Sequence, residues 1–209
     1  MERFRGKPLF GLMINHILRT GSMTEFITDN IKGTARTLSS VHKIKANLID
    51  TSYAVYERAV HYNKRITDDE KKTVLLVLDS LPKGNTICHG DPNPSNILVS
   101  GKEISLIDWM FTGTGHFMYD IAEYVIATRY LYLDPESTDK RIIIFMDKYA
   151  EEMIQIFFSE YSKITGAEIT DIDKWLIPLL VNRLNGGGSE KYKQRLLTDM
   201  RTKLTAVRS

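Results

Sequence analysis

One cysteine, Cys88, is all the thiol chemistry that 209 residues provide, so no internal disulfide can hold the fold. A lone thiol suits a reducing compartment, and the cytoplasm is the expected location. Long apolar runs are missing too. Ile142 to Phe145 and Ile154 to Phe158 are soon broken by polar residues, far short of a bilayer span. The opening Met-Glu-Arg-Phe-Arg-Gly-Lys-Pro contains no apolar leader core. Charge of one sign is scarce as well. Lysine and arginine number 28 against 26 acidic residues, and a net charge of +2 builds no field that would announce nucleic acid or a membrane surface. There is no internal repeat, and Gly186-Gly187-Gly188 is the single low-complexity tract. His16, His61 and His116 have no paired ligand spacing, which argues against zinc.

What is present is ordinary globular material. A hydrophobic fraction of 43% is enough to bury a core, and residues 1–209 are expected to form one domain. Gly6, Pro8 and Gly11 stand too close together for a regular helix at the start. Ser22 and Glu25 form a capping-box pattern, which places a first helix from about Ser22 with Ile27, Ile31, Leu38 and Val41 on its apolar stripe. A second helix is expected from Thr51 to about Asn63. The pair Thr67 and Glu70 opens a third, which Pro82 and Gly84 stop. Thr86-Ile87-Cys88 reads as a short strand. Ile97 to Val99 and Ile104 to Ile107 read as a hairpin around Ser100-Gly101-Lys102. His89–Asn96 and Phe111–Phe117 read as irregular loops. Helices follow over Asp120 to about Tyr132, Lys140 to Ile164, Asp173 to Leu184 and Lys191 to Val207. In the longest of these, Ile143, Met146, Tyr149, Met153, Ile156 and Phe157 recur at helical spacing.

The two loops concentrate the polar residues that pack nothing. Asp91 precedes Asn96 by five positions, and Asp108 follows twelve later, beyond the hairpin. Kinase chemistry uses a carboxylate to orient a hydroxyl and take its proton, and a carboxamide with a second carboxylate to hold Mg²⁺, at that same five-residue offset. Mg²⁺ is a hard cation that prefers such oxygen ligands. His-Gly-Asp alone would mark only a turn. The three positions together with flanking apolar strands carry more.

The stretch Ile87-Cys88-His89-Gly90-Asp91-Pro92-Asn93-Pro94-Ser95-Asn96-Ile97-Leu98-Val99 resembles the catalytic loop of the aminoglycoside phosphotransferase and choline kinase superfamily. Ile104-Ser105-Leu106-Ile107-Asp108-Trp109 is similar to that family's metal-binding strand end. Gly115 through Tyr119-Asp120-Ile121-Ala122 resembles the segment after it, and Leu38-Ser39-Ser40-Val41-His42 the small helix end before the loop. The resemblance runs at least from Met1 to about Tyr132, and beyond that only the helical character agrees. It implies Asp91 as catalytic base, Asn96 and Asp108 as Mg²⁺ ligands, and His89 and Asp120 as residues that fix the loop. The inner residues Pro92-Asn93-Pro94-Ser95 depart from the family's frequent Leu-His-Pro-Gly, which bears on substrate positioning more than on the chemistry. Cys88 is expected in a buried strand, and Trp109 in the core, with an edge of the nucleotide pocket as the alternative placement.

Met1-Glu2-Arg3 with Gly6-Lys7-Pro8-Leu9 resembles the hinge between the family's two lobes, which implies that Glu2 and Arg3 contact the nucleotide. No stretch before His89 offers a strand lysine followed by a helix glutamate for gripping phosphates. The expected fold is therefore α+β and mainly α-helical: the C-terminal lobe of a protein-kinase-like fold, with a small β-hairpin carrying the catalytic loop. The expected function is transfer of the γ-phosphate of ATP or GTP, with Mg²⁺, to the hydroxyl of a small molecule. The competing reading is an incomplete lobe that acts as a binding or scaffold module, or as half of a split kinase with a separate N-terminal lobe or a second copy as partner. A metal-dependent phosphohydrolase ranks third. Neither nucleic acid nor a membrane is an expected partner.

For the acceptor, Glu123, Glu151, Glu152, Glu160, Glu168, Asp171 and Asp173 could face a polycation, although such charges usually form a solvated helix face. The last helix is basic, with Lys191, Lys193, Arg195, Arg201, Lys203 and Arg208, which disfavours a polycation and permits a phosphorylated or sugar-like acceptor. Tyr119, Tyr124, Tyr130 and Tyr132 could build an aromatic cage for a quaternary ammonium group or simply pack the core.

Overall fold

A computed structural model describes residues 5–46 and 51–208. Strand β1 (Lys7–Pro8) leads directly into helix α1 (Leu9–Thr20), followed by α2 (Glu25–Val41), α3 (Thr51–Tyr62) and α4 (Asp68–Ser80). Strands β2 (Thr86–Cys88), β3 (Ile97–Ser100), β4 (Glu103–Leu106) and β5 (Gly113–Gly115) come next. Four helices complete the chain: α5 (Met118–Arg129), α6 (Lys140–Thr165), α7 (Ile172–Leu184) and α8 (Glu190–Arg208).

Helix α1 overturns the expectation of an irregular start. Leu9, Met13 and Ile17 recur every four residues and are all buried, each contributing about 1.5–3 kcal/mol. That outweighs the roughly 1 kcal/mol cost of Gly11 within a helix. Pro8 stands just before the first turn, where its fixed φ is compatible with helix entry. Gly21 ends the helix at φ 64°, with its N–H returning to Ile17 O at 2.8 Å.

Helix α2 begins at Glu25 after Thr24, not at Ser22. No side-chain capping bond forms there, because the Thr24 hydroxyl meets His16 Nε2 at 2.7 Å. In α4 the expected capping box is complete: Thr67 Oγ1 accepts from Glu70 N–H, and Glu70 Oε2 accepts from Thr67 N–H. The buried face of α6 comprises Ile142, Phe145, Met153, Ile154, Phe157 and Tyr161. This corrects the expected stripe. Met146, Tyr149 and Ile156 only flank it, half-buried, since a helix of this length drifts off any single spacing.

Two antiparallel sheets position the loops. β3 lies between β1 and β4, with Ile97 opposite Leu106 and Ser100 opposite Glu103. β2 pairs with β5, Cys88 opposite Gly113, so part of the stretch expected to be irregular is a strand. Helices α5 and α7 run through the centre. Every residue from Met118 to Ile126 is buried, as is each one from Trp175 to Val181. Pro178 inside α7 forfeits the bond to the Lys174 carbonyl, a cost that this dense apolar packing offsets. The buried apolar residues form one contiguous core. No described helix is long and apolar enough to cross a membrane.

Candidate active site

The pairing of β3 with β4 sets Asn96, just before β3, beside Ile107, just after β4, and Ile107 N–H donates to Asn96 O at 2.9 Å. Asp108 is the next residue, so hairpin register brings two positions far apart in sequence to one end of the sheet. A short 3-10 turn over Pro94–Asn96, capped by Asn93 Oδ1 accepting from Ser95 N–H at 2.8 Å, delivers Asn96 from the other side.

Asn96 Nδ2 donates both to Asp91 O and to Asp91 Oδ2, each at 3.0 Å. These bonds lock the rotamer of Asp91. Its Oδ1 takes no donor among the described residues. The Asn96 carboxamide has spent its N–H groups, and its Oδ1 is likewise free. Asp108 is exposed, its carboxylate makes no hydrogen bond among the described residues, and its backbone sits at φ 60°, ψ 65°. Non-glycine residues hold that left-handed conformation at some cost, and it recurs at functional positions. Two unclaimed oxygen donors, one amide and one carboxylate, form a donor set that suits Mg²⁺.

Behind this face lies a buried polar chain. Asp120, on the first turn of α5 and fully buried, accepts from the N–H of His89 at 2.7 Å and of Gly90 at 2.8 Å. It also accepts from His42 Nε2 at 3.0 Å, which leaves His42 Nδ1 to accept from the Tyr161 hydroxyl at 2.7 Å. Burial first, and the charge of Asp120 second, push the Tyr161 hydroxyl well above its ordinary range, so it stays protonated as a donor. The imidazole of His89 is also committed. Nδ1 accepts from Asp91 N–H at 3.3 Å and Nε2 donates to Ile107 O at 2.9 Å, the pattern of a neutral ring that ties the two loops together. His42, Cys88 and Asp120 form the one group of metal-capable side chains found within 4.8 Å among the described residues. The N–H donors already on Asp120 account for it without an ion.

Trp109 departs from the core placement expected for it. It is 42% exposed, donates from Nε1 to Leu106 O at 3.1 Å, and lays its ring 4.6 Å from that of His89. Cys88 is fully buried in β2, as expected. Glu2 and Arg3 lie outside the described residues. Tyr119, Tyr124 and Tyr130 are buried, and among the four tyrosines considered for a cage only Tyr132 is exposed.

Glu123 belongs to no solvated face. It is 5% exposed and accepts from the Tyr56 hydroxyl at 3.0 Å and from Arg183 Nη2 at 3.1 Å. Burial pushes its carboxyl up to about 7, against the opposing pull of Arg183. Tyr56, Arg183 and Tyr161 carry no motif in the sequence, and only their packing reveals them. Asp91 and Arg183 both line a cleft of about 380 Å³, walled by the His89–Asn96 loop, the end of α5, the end of α7 and Gly186–Gly188.

A helical body whose small hairpin and paired loops present Asp, Asn and Asp at one edge is the C-terminal lobe of a protein-kinase-like fold. The pneumococcal choline kinase LicA, from Streptococcus pneumoniae, superposes with a TM-score of 0.57 at 17% identity, over 87% of this chain and 65% of that one. An aminoglycoside-3'-phosphotransferase of type VIII does so with 0.56 at 16% identity, over 95% and 67% respectively. A choline kinase from Cryptosporidium parvum gives 0.59 at 13%, over 99% and 70%. The chain thus spans 65% of the length of the pneumococcal enzyme. None of the curated protein sequences matches it. The family model described as "Phosphotransferase enzyme family" matches residues 34–143, more than half of the chain, and the protein belongs to that family.

Proposed function

We propose that the protein transfers the γ-phosphoryl group of ATP or GTP to a hydroxyl of a small molecule, with Asp91 as base and with Asn96 and Asp108 holding Mg²⁺. The observation that carries this reading is the state of Asp91. One carboxylate oxygen is pinned by Asn96, and the other faces no donor among the described residues, in a side chain that lines the cleft. An acceptor hydroxyl there would hydrogen-bond to Oδ1 and be oriented for attack. Its proton passes to the carboxylate as the new O–P bond forms and the nucleoside diphosphate leaves. Asn96 Oδ1 and the Asp108 carboxylate would bind the metal, which when bound offsets phosphate charge. His89 and Asp120 support the loop, without moving protons. We read residues 1–209 as one domain.

The test is phosphorylation of a panel of hydroxylated small molecules with ATP and with GTP, read by mass spectrometry. Asp91→Asn should lower product formation about 10²–10⁴-fold. Equal activity in the variant would remove Asp91 from the mechanism.

A second reading draws on the run Trp109, Met110 and Phe111, which are 42%, 73% and 59% exposed directly after Asp108. Three consecutive exposed apolar side chains at the edge of a site are a surface for another protein layer. On this reading the lobe works as a binding module or as half of a split kinase. Activity that appears only when a nucleotide-gripping lobe is added in trans would establish it.

A further inference from the structure

The cleft beside Asp91 is walled by only two charged side chains among the described residues, Asp91 itself and Arg183. Arg183 spends one of its guanidinium N–H groups on Glu123 Oε2 at 3.1 Å. The remaining donors have no acceptor among the described residues, and the side chain is 38% exposed. An arginine left with an open donor fork is suited to bind an oxyanion in two-point fashion. Its anchor is well placed for this. Glu123 is buried and held from the far side by Tyr56, so it fixes the guanidinium without being able to follow it into the cleft.

The glycine tract adds donors next to that fork. Gly186 N–H is used by Arg183 O at 3.1 Å, whereas the N–H groups of Gly187 and Gly188 take no acceptor among the described residues. Gly188 has φ 113°, and a Cβ there would lie 2.5 Å from the Tyr192 ring, so glycine keeps the main chain against that ring. Tyr192 and Tyr132, also in the wall, stand with ring centroids 5.0 Å apart at 56°, two faces against which a compact organic skeleton can rest. A cationic acceptor would find the opposite of what it needs, because the one carboxylate in the wall is the base.

We propose that the acceptor is a small hydroxylated compound bearing an oxyanion, a carboxylate or a phosphate, which Arg183 and the Gly187–Gly188 main chain hold while a hydroxyl lies at Asp91. The role of Asp91 rests on the phosphotransferase reading; the anion subsite stands on its own geometry. At neutral pH the buried Glu123 carboxyl, pushed up to about 7, is only partly ionised, so it does not fully neutralise the arginine.

The probes are glycerate, glycerol 3-phosphate, glycerol and choline, each titrated into the whole chain while the amide signals of Gly186, Gly187 and Gly188 and the Arg183 side-chain signal are followed by NMR. At least one of the two anions should shift these signals and bind about tenfold or more tightly than glycerol or choline. Glycerate alone identifies a carboxylate site, glycerol 3-phosphate alone a phosphate site. Arg183→Gln should abolish that preference and Arg183→Lys should restore part of it. Choline binding as tightly as either anion, or anions that leave these signals unmoved, would overturn the proposal. The comparison on the unaltered protein decides the matter even where Arg183→Gln fails to fold. A protein that selects anions but never binds Mg²⁺-nucleotide sinks the phosphotransferase reading alone, and the reverse outcome sinks this inference alone.

Discussion

The carboxylate of Asp120 accepts the backbone N–H of His89 at 2.7 Å, across 31 positions of sequence, with neither partner reachable by water. A helix that lies at the centre of the core thereby sets the height of a surface loop. The loop inherits the rigidity of α5, and Asp91 two residues on is held by a scaffold, not by its own flexible surroundings.

Asp120→Asn should destabilise the fold by about 3 kcal/mol, since a carboxamide NH₂ would confront N–H donors in a buried site. Denaturant unfolding measures the loss, and amide shifts of His89 and Gly90 report the loop. A loss within a few tenths of a kcal/mol would mean that the network supports nothing.

Tyr161→Phe should cost about 1–2 kcal/mol, because it strips the only donor that His42 Nδ1 has among the described residues and leaves that nitrogen unsatisfied in the core. Thermal and denaturant unfolding both read this. The loop bonds of Asp120 should survive, visible as unchanged Gly90 amide shifts.

Gly90→Ala should be damaging out of proportion to one methyl group. Gly90 sits at φ 83°, and the added Cβ would fall 2.2 Å from the Phe111 carbonyl oxygen. The strained conformation alone costs about 1–2 kcal/mol, before the two loops are forced apart. We expect lost stability together with lost phosphoryl transfer, whereas Gly11→Ala, with open space around it, should be neutral or stabilising.

Glu123 makes stability fall with rising pH. Its carboxyl titrates at about 7 in the folded protein against an ordinary 4.5, so the folded state binds the proton more tightly. Below 4.5 both states are protonated and the group costs nothing; the penalty grows from there to about 7 and then levels off. Glu123→Gln should therefore gain about 3 kcal/mol relative to the unaltered protein between roughly pH 4.5 and pH 8. A difference between the two that does not change with pH would contradict the assignment.

The sequence made the local grammar plain and the long-range polar contacts invisible. The spacing of Asp91, Asn96 and Asp108 was legible, and so was the hairpin that brings Asn96 and Asp108 to one end of the sheet, from the apolar residues on either side of Gly101. The Thr67 and Glu70 cap was legible because it is a contact between neighbours. Helix α1 was hidden because Gly6, Pro8 and Gly11 read as a cluster of breakers, although Pro8 in fact precedes the first turn and burial of Leu9, Met13 and Ile17 outweighs Gly11. Trp109 was misplaced because a large apolar side chain can cover a histidine as well as fill a core. The partners Tyr56–Glu123–Arg183 and Tyr161–His42–Asp120 join residues 60 or more positions apart in every one of their bonds, and no periodicity encodes them.

Calorimetric titration of ATP and GTP with and without Mg²⁺, on the chain and on Asp108→Ala, tests the central claim most directly. The account predicts binding that requires Mg²⁺ and disappears with the Asp108 carboxylate. Nucleotide binding that is indifferent to both the metal and the substitution would contradict it.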